Sequence, residues 1–311
     1  MTHGQVCVTG ASGYLGRRVV AELCARSLPV RAILKDRSCD ADQRRMNALG
    51  ASISFVDASR CEPYAPALTG VEVAISCMAS TNLHVDTTDD FWAIDRDANI
   101  RFGLAALSAG ARHVILVATF EGRESRHITA FSDAKEFAVD AIAEACRKAG
   151  AVFTVIRPTA YFSDLTNRAF DSVFRHGRFT VLGDGLHLIN PVDGGDVASF
   201  IADCLGDSTK AGHEHQVGGP DIFSFREIGM LAAAVIGRSD SLKIRTIPIW
   251  SLRLLGALAS TLGLVARRGL RSAAILQWMI YSGTHDAVAP ACGARRLRNE
   301  FLSKLQKDGS I

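Results

Sequence analysis

Gly10, Gly13 and Gly16, spaced G-x-x-G-x-x-G, follow the apolar run Val6-Cys7-Val8-Thr9 and precede a segment with helical apolar spacing. In that setting these residues suit one kind of chemistry, the holding of a dinucleotide. Gly10 permits a sharp turn off the strand, Gly13 lets the backbone approach a pyrophosphate with no Cβ between, and Gly16 lets the helix pack closely on the sheet. The free N–H groups and positive dipole end of that helix face the phosphates. Gly10, Ser12, Gly13, Tyr14, Leu15 and Gly16 are therefore expected to line them. A glycine triplet also occurs in ordinary turns; the strand before it and the helix after it make it a nucleotide motif.

The end of the second strand bears on which dinucleotide is held. A carboxylate at that tip suits the ribose 2′-hydroxyl of NAD, whereas the 2′-phosphate of NADP needs cations. Leu34-Lys35-Asp36-Arg37 supplies both kinds. Lys35 and Arg37 favour NADP(H), Asp36 leaves NAD open, and all three also read as solvated loop charges. Past the third strand, Asp57 and Ala58 are placed to read an adenine, with Asp57 equally suited to a turn. The small residues after the fourth strand, Met78 and Ala79 among them, would let a nicotinamide ribose lie against the backbone.

The elements that position these groups alternate at the rhythm of βαβ units. Strands are expected at Gln5–Thr9, Pro29–Leu34, Ser52–Val56, Val71–Ser76, His113–Val117 and Val152–Ile156, with helices at Arg17–Ser27, Asp42–Leu49, Phe91–Ala109 and Phe131–Ala149. The expected fold is α/β, a Rossmann-type doubly wound parallel sheet with a smaller C-terminal α/β substrate lobe. The dinucleotide-binding core would cover residues 1–160, with 190–206 returning to it, and a mainly helical substrate lobe residues 161–311. In that lobe Arg178–Leu182 reads as a short strand, Val197–Leu205 as a helix opened by Asp193 and Asp196, and Leu242–Ile247 as a strand. Phe223–Ile236 belongs to the same lobe, further helices are read at Trp250–Ala266 and Leu270–Tyr281, and the basic tail reads as a helix turning Leu297, Phe301, Leu302 and Leu305 inward.

The totals narrow the partners. A formal charge of +3 over 311 residues, with no basic run interleaved with aromatics, gives no sign of nucleic acid. Eight cysteines scattered singly, without C-x-x-C, fit free thiols in a reducing compartment. His213 and His215 lack a third ligand, so no metal is expected. The first strand begins a few residues after Met1, so neither a signal nor a transit peptide is expected and the location reads as cytoplasmic. Residues 254–266 are too short an apolar stretch to span a bilayer. They read as a core or dimer helix, with a peripheral membrane contact or the border of an apolar channel as the other uses; monomer and homodimer both remain open.

The chain resembles atypical members of the short-chain dehydrogenase/reductase superfamily. The residues that carry this are Thr9 to Gly16, Asp57, the strand Val114–Val117, Lys135 and Ile156-Arg157-Pro158-Thr159. The segments Arg157–Leu165, Gly183-Asp184-Gly185, Asn190-Pro191-Val192-Asp193 and Val217-Gly218-Gly219-Pro220 are similar to the branch containing NADPH-dependent divinyl chlorophyllide 8-vinyl reductases and to NmrA-like proteins. The resemblance covers most of residues 4 to 250 and fades in the last sixty.

In the main branch of that superfamily a Tyr-x-x-x-Lys pair and a serine move the proton. Here the pattern is Phe131-Ser132-Asp133-Ala134-Lys135, and Ala118 takes the serine's place with Thr119 the nearest hydroxyl. The resemblance implies that Lys135 still anchors the nicotinamide ribose, with Pro158, Thr159 and Phe162 on the nicotinamide side and Arg157 either bracing the sheet or touching ligand. Lys135 and Thr119 are the candidate catalytic groups, and Phe120, Phe131, Tyr161, Phe162 and Phe174 the candidate walls for an apolar substrate. Carbonyl reduction with tyrosine as the acid is excluded, while Lys135, Thr119, Tyr161 or water could supply a proton; this favours hydride transfer to a polarised C=C bond and leaves C=O reduction open. The rival implications are a redox sensor of NmrA-like type that binds the dinucleotide without turnover, and a structural subunit of a larger assembly.

Overall fold

In the computed structural model, which describes residues 4–35, 39–80, 91–261 and 276–308, six parallel strands make up most of one sheet, and the inner ones are apolar because they are covered on both sides. The six are β1 (Gln5–Thr9), β2 (Val30–Leu34), β3 (Ser52–Phe55), β4 (Val71–Ser76), β5 (His113–Val117) and β6 (Val152–Pro158). In β1 every residue from Val6 to Thr9 is buried, and in β5 every residue from His113 to Leu116. Continuous burial of this kind marks the middle of a parallel sheet with helices on both faces. The pairs β1·β2, β1·β4, β2·β3, β4·β5 and β5·β6 are all parallel. The order is β3-β2-β1-β4-β5-β6, reversing direction of growth at β1 as a doubly wound Rossmann sheet does.

Helices α1 (Gly16–Ala25), α2 (Asp40–Ala48), α3 (Ala65–Leu68), α4 (Asn99–Ser108) and α5 (Ala130–Ala149) join these strands. In α1 the buried residues Gly16, Val19, Val20 and Leu23 fall on one stripe, as an amphipathic helix against a sheet requires. The segment expected as one helix over Phe91–Ala109 is in two parts. Residues Trp92–Ala98 form a π-helical turn that leads into α4. A π turn carries one residue more per turn than an α-helix and breaks its 3.6-residue spacing, so apolar periodicity alone does not reveal it.

The chain divides into two compact units. The first holds residues 1–126, 130–157 and 197–215, and the second 127–129, 158–196 and 216–311. The second contains β7 (Arg178–Leu182), β8 (Leu188–Ile189), β10 (Phe223–Ser224) and β11 (Lys243–Ile247), with α6 (Phe162–Leu165), α7 (Asp171–His176), α9 (Phe225–Ile236), α10 (Ile249–Thr261) and α11 (Leu297–Asp308). Three elements run across the division: β6 at its last residue, α8 (Gly194–Asp203) and β9 (Glu214–Val217), the seventh strand of the large sheet. In the second unit β7 pairs parallel with β11 and β8 antiparallel with β10. Ser224 and Glu227 form a reciprocal capping box that starts α9 at Phe225. Asp193 and Asp196, read as helix-opening acids, also hold Arg295 at 2.9 and 3.1 Å. Leu297 and Phe301 of α11 are buried in the apolar cluster around Phe162, Phe170 and Ile228, with Leu305 packed against it. The expected helices over 254–266 and 270–281 lie partly outside the described residues. Among the described residues no helix is long and apolar enough to cross a membrane.

Buried charge fixes two strand ends of the first unit. Arg157, 1% exposed at the end of β6, meets Glu136 of α5 at 2.5 and 3.0 Å, Glu214 of β9 at 2.5 Å and the Thr119 carbonyl at 2.8 Å. Arg157 therefore braces the sheet. Breaking such a pair by removing one partner typically costs about 3–5 kcal/mol, because the other charge is left buried alone.

His113 of β5 is buried, and its Nε2 lies 2.8 Å from the Thr154 hydroxyl, which also accepts the Gly212 amide. Burial lowers its pKa from 6.5 to about 4. Below pH 6.5 the unfolded chain takes up a proton that the folded protein refuses until about pH 4. This contribution of about 3 kcal/mol is thus complete above pH 6.5 and lost as pH falls to 4. Urea unfolding as a function of pH checks this: a His113→Gln variant should show a shallower loss of stability between pH 6.5 and 4 than the parent chain.

Candidate active site

Residues 10–16 carry out the expected turn at the end of β1. Gly10 has φ of +71°, and a Cβ there would lie 2.9 Å from the Cys77 carbonyl. At Gly16 a Cβ would come within 2.1 Å of the Gly10 carbonyl oxygen, so only glycine allows α1 to start this close to the turn. Gly13 donates its N–H to Gly10 O at 3.0 Å and is exposed. Among the described residues the amides of Ala11, Ser12 and Leu15 find no acceptor, and no side chain caps α1. These free donors at a helix N-terminus fit the pyrophosphate of a dinucleotide. Arg18 stacks on the Tyr14 ring at 3.9 Å and donates to the Tyr14 carbonyl at 2.7 Å, steadying the rim of the turn.

Lys35 is exposed at the end of β2. Arg37 lies outside the described residues. Asp57 caps the short turn Ala58–Arg60, accepting from the Ser59 amide at 3.0 Å and hydroxyl at 2.5 Å, with Arg60 at 3.3 Å from its other oxygen. Burial acts to raise its carboxyl pKa, but the Ser59 bonds and the charges of Lys35 and Arg60 outweigh this and hold it below the ordinary value. Asp57 thus caps the turn, with Lys35 as its electrostatic neighbour. The Ala58 carbonyl is taken by Arg101 at 2.8 Å.

Lys135 lies in the first turns of α5 and is 2% exposed. Its Nζ donates to the Met78 carbonyl at 2.7 Å and stands 2.9 Å from Asp95 Oδ1, a carboxylate with no exposure of its own. The Asp95 contact is a charge contact without a directed hydrogen bond, since Oδ1 has no bonded donor. Its Oδ2 accepts the Ser80 amide at 3.1 Å and hydroxyl at 2.8 Å. Asn99, also fully buried, donates to Ile94 O and Asp95 O at 3.0 and 3.1 Å, and its Oδ1 lies 2.6 Å from the Ser76 hydroxyl. Met78, Ala79 and Lys135 are thus brought together as expected. Asp95 and Asn99 escaped the sequence reading. Their signal was a pair of polar residues on the stripe Ile94, Ala98, Phe102, Ala106, all of them buried.

Thr119 gives its carbonyl to Arg157, while its Oγ1 is buried and has no partner among the described residues. Ala118 is buried at the place of the expected serine, and Phe120 is half-buried. Phe131 is half-buried and meets the Phe91 ring edge-on at 5.5 Å. No phenol occupies that turn of α5.

In the second unit Pro158 is buried, and Thr159 donates its hydroxyl to Asn190 O at 2.6 Å and its amide to Val217 O at 3.0 Å. Tyr161 is half-buried and bridges to Val192. Phe174 stacks on Phe170 at 5.8 Å and is partly buried. Phe162 corrects the expectation for it: at 1% exposed its ring fills the core with Leu165, Ala169 and Phe170 and offers no wall to a ligand. His215, set aside as a metal ligand, places Nε2 2.7 Å from the Lys210 carbonyl.

The sheet and turn define a Rossmann-type dinucleotide-binding protein. Residues 10–208 match the NAD(P)H-binding family model, and the chain belongs to that NAD(P)H-binding family. It is 27% identical to the divinyl chlorophyllide a 8-vinyl-reductase of Oryza sativa subsp. indica, across 98% of this chain and 79% of that one. With the enzyme of the same name from Zea mays it shares 32% identity, over 69% of this chain and 55% of the relative. Among solved structures, the Escherichia coli NADPH-dependent quinone oxidoreductase QOR2 with NADPH superposes with a TM-score of 0.71 at 17% identity, over 97% and 99% of the two chains. The Citrobacter sp. triphenylmethane reductase with NADP(H) gives 0.68 at 18%, over 96% and 99%. At these identities the structures speak for the fold.

Replacing Gly16 with alanine forces α1 away from the Gly10 carbonyl. Gly16→Ala is expected to lower stability by about 1–3 kcal/mol, the range for overpacking, and to weaken NADPH binding at least tenfold. Urea unfolding and titration of NADPH fluorescence measure the two effects.

Proposed function

We propose that this protein is an NADP(H)-dependent reductase that adds hydride to a C=C bond of an apolar, conjugated small molecule. The observation that carries this reading is the chemistry of α5. Phe131 stands one turn before Lys135, where a carbonyl reductase of the resembling superfamily would present its tyrosine. Without that phenol no strong acid waits beside a developing alkoxide. A polarised alkene makes a smaller demand, because hydride goes to one carbon and the proton can reach the other from water or from a weak donor such as the Thr119 hydroxyl. When bound, NADPH supplies the hydride.

The rest of the site is built for binding. The free amides of Ala11, Ser12 and Leu15 hold the pyrophosphate, and Lys35 meets the 2′-phosphate. The Lys135 ammonium donates one hydrogen to Met78 O and meets Asp95 as a charge contact, which leaves donor capacity for a ribose hydroxyl. The 27–32% identity to vinyl reductases supports a vinyl or similar alkene as the reducible group. Because the chain spans 79% of one such relative and 55% of another, their tetrapyrrole substrate enters here as a candidate. A second reading, an NADP(H) sensor without turnover, draws support from one feature: the charge of Lys135 is already met by Asp95.

Loss of absorbance at 340 nm separates the two readings. Consumption of NADPH on adding a divinyl tetrapyrrole, a quinone or a triphenylmethane dye supports the reductase; tight NADPH binding without oxidation across that panel supports the sensor. Lys35→Ala is expected to weaken NADPH binding about tenfold, equal to about 1.4 kcal/mol, and to leave NADH binding unchanged. Equal affinity of parent and variant for NADPH removes the 2′-phosphate assignment.

A further inference from the structure

Lys135 is not free to choose its own position. Its ammonium is enclosed between the Met78 carbonyl at 2.7 Å and Asp95 at 2.9 Å, and both charged side chains are at most 2% exposed. The carboxylate serves two masters, because its second oxygen takes the amide and hydroxyl of Ser80. From one side chain on the π-helical turn Trp92–Ala98, then, both the lysine and the backbone that follows β4 are held. Asn99, four residues on, fastens the same strand end through the Ser76 hydroxyl. Asp95 Oδ1 makes no directed hydrogen bond, so what it contributes to Lys135 is charge and place.

We propose that Asp95 is the positioning residue for the nicotinamide half of the cofactor site. It fixes the Lys135 ammonium and the Met78–Ser80 backbone as one surface against which the nicotinamide ribose lies. The proposal rests on the reading that Lys135 anchors that ribose, and it adds that the anchor works only through Asp95. The adenosine half, held by the glycine turn and Lys35, is independent of it.

Two probes on the full-length chain divide the site: NADPH, which spans both halves, and 2′,5′-ADP, which reaches only the adenosine half. In Asp95→Asn the Kd for NADPH should rise about tenfold, the scale of one lost charge-assisted contact, while that for 2′,5′-ADP stays the same. Lys135→Met should behave alike. The double variant Asp95→Asn/Lys135→Met should bind NADPH no more weakly than Lys135→Met, since the asparagine amide oxygen can still accept from Ser80 and only the charge that acts through the lysine is lost. It also leaves neither charge buried alone, so it carries the comparison if the single Asp95 variant does not fold. A further loss in the double variant, or parallel loss of NADPH and 2′,5′-ADP, overturns the proposal by showing a general structural role. Weakened binding in Lys135→Met with parental binding in Asp95→Asn overturns it and leaves the ribose anchor standing. Parental NADPH affinity in Lys135→Met overturns the anchor itself, and the proposal with it.

Discussion

Adjacent residues of α5 carry opposite charges out of water. Lys135 reaches Asp95 and the end of β4, while Glu136 reaches Arg157 at the end of β6. A buried ion without a counterion is far costlier than any single apolar contact is favourable, so each charge compels its partner's position. In the sheet β4 and β6 are the two neighbours of β5. The helix that follows β5 is thereby fastened to the strand on either side of it. That constraint sets the spacing of the strand ends beside which a Rossmann protein binds its cofactor, and the glycine turn at the end of β1 completes the row.

Division of labour follows from where charge is spent. The turn at residues 10–16 keeps unpaired amides at the start of α1 and therefore suits an anion. The Lys135 region is close to neutral, its cation matched by Asp95. Such a site favours ordered binding of an uncharged sugar and a flat ring over strong acid–base chemistry. This agrees with the absence of a phenol at Phe131.

The inner strands were readable because both faces are covered and their runs are apolar, as in Val6-Cys7-Val8 and Val114-Ile115-Leu116. The glycine turn was readable because it depends on residue type at a fixed local spacing. What escaped depends on distant partners. Glu214-His215-Gln216-Val217 has no apolar run and joins the sheet as an edge strand, tied in by the Glu214 pairing with Arg157. Asp95 is forty residues from the lysine it serves, on a turn whose geometry breaks the helical rule used to find helices. Phe162 misled in the opposite sense. An aromatic shortly after Pro158 fits a pocket wall, and only the surrounding Leu165, Ala169 and Phe170 show that it belongs to the core.

The π-helical turn gives the chain a dependence on length as well as on residue type. Each residue of an α-helix advances the side-chain direction by about 100°, and each residue of the wider π turn by somewhat less. Deleting one position between Phe91 and Asp95 would change no ligand-facing residue, yet with α4 held by its packing it would swing the residues before the deletion around the helix axis by about that angle. Deleting one position between Asp95 and Asn99 would turn the two polar side chains away from each other, and the clamp on β4 would lose one of its jaws. The site is in this respect metered by a count of residues, and a gap of one in this helix would matter more than many substitutions.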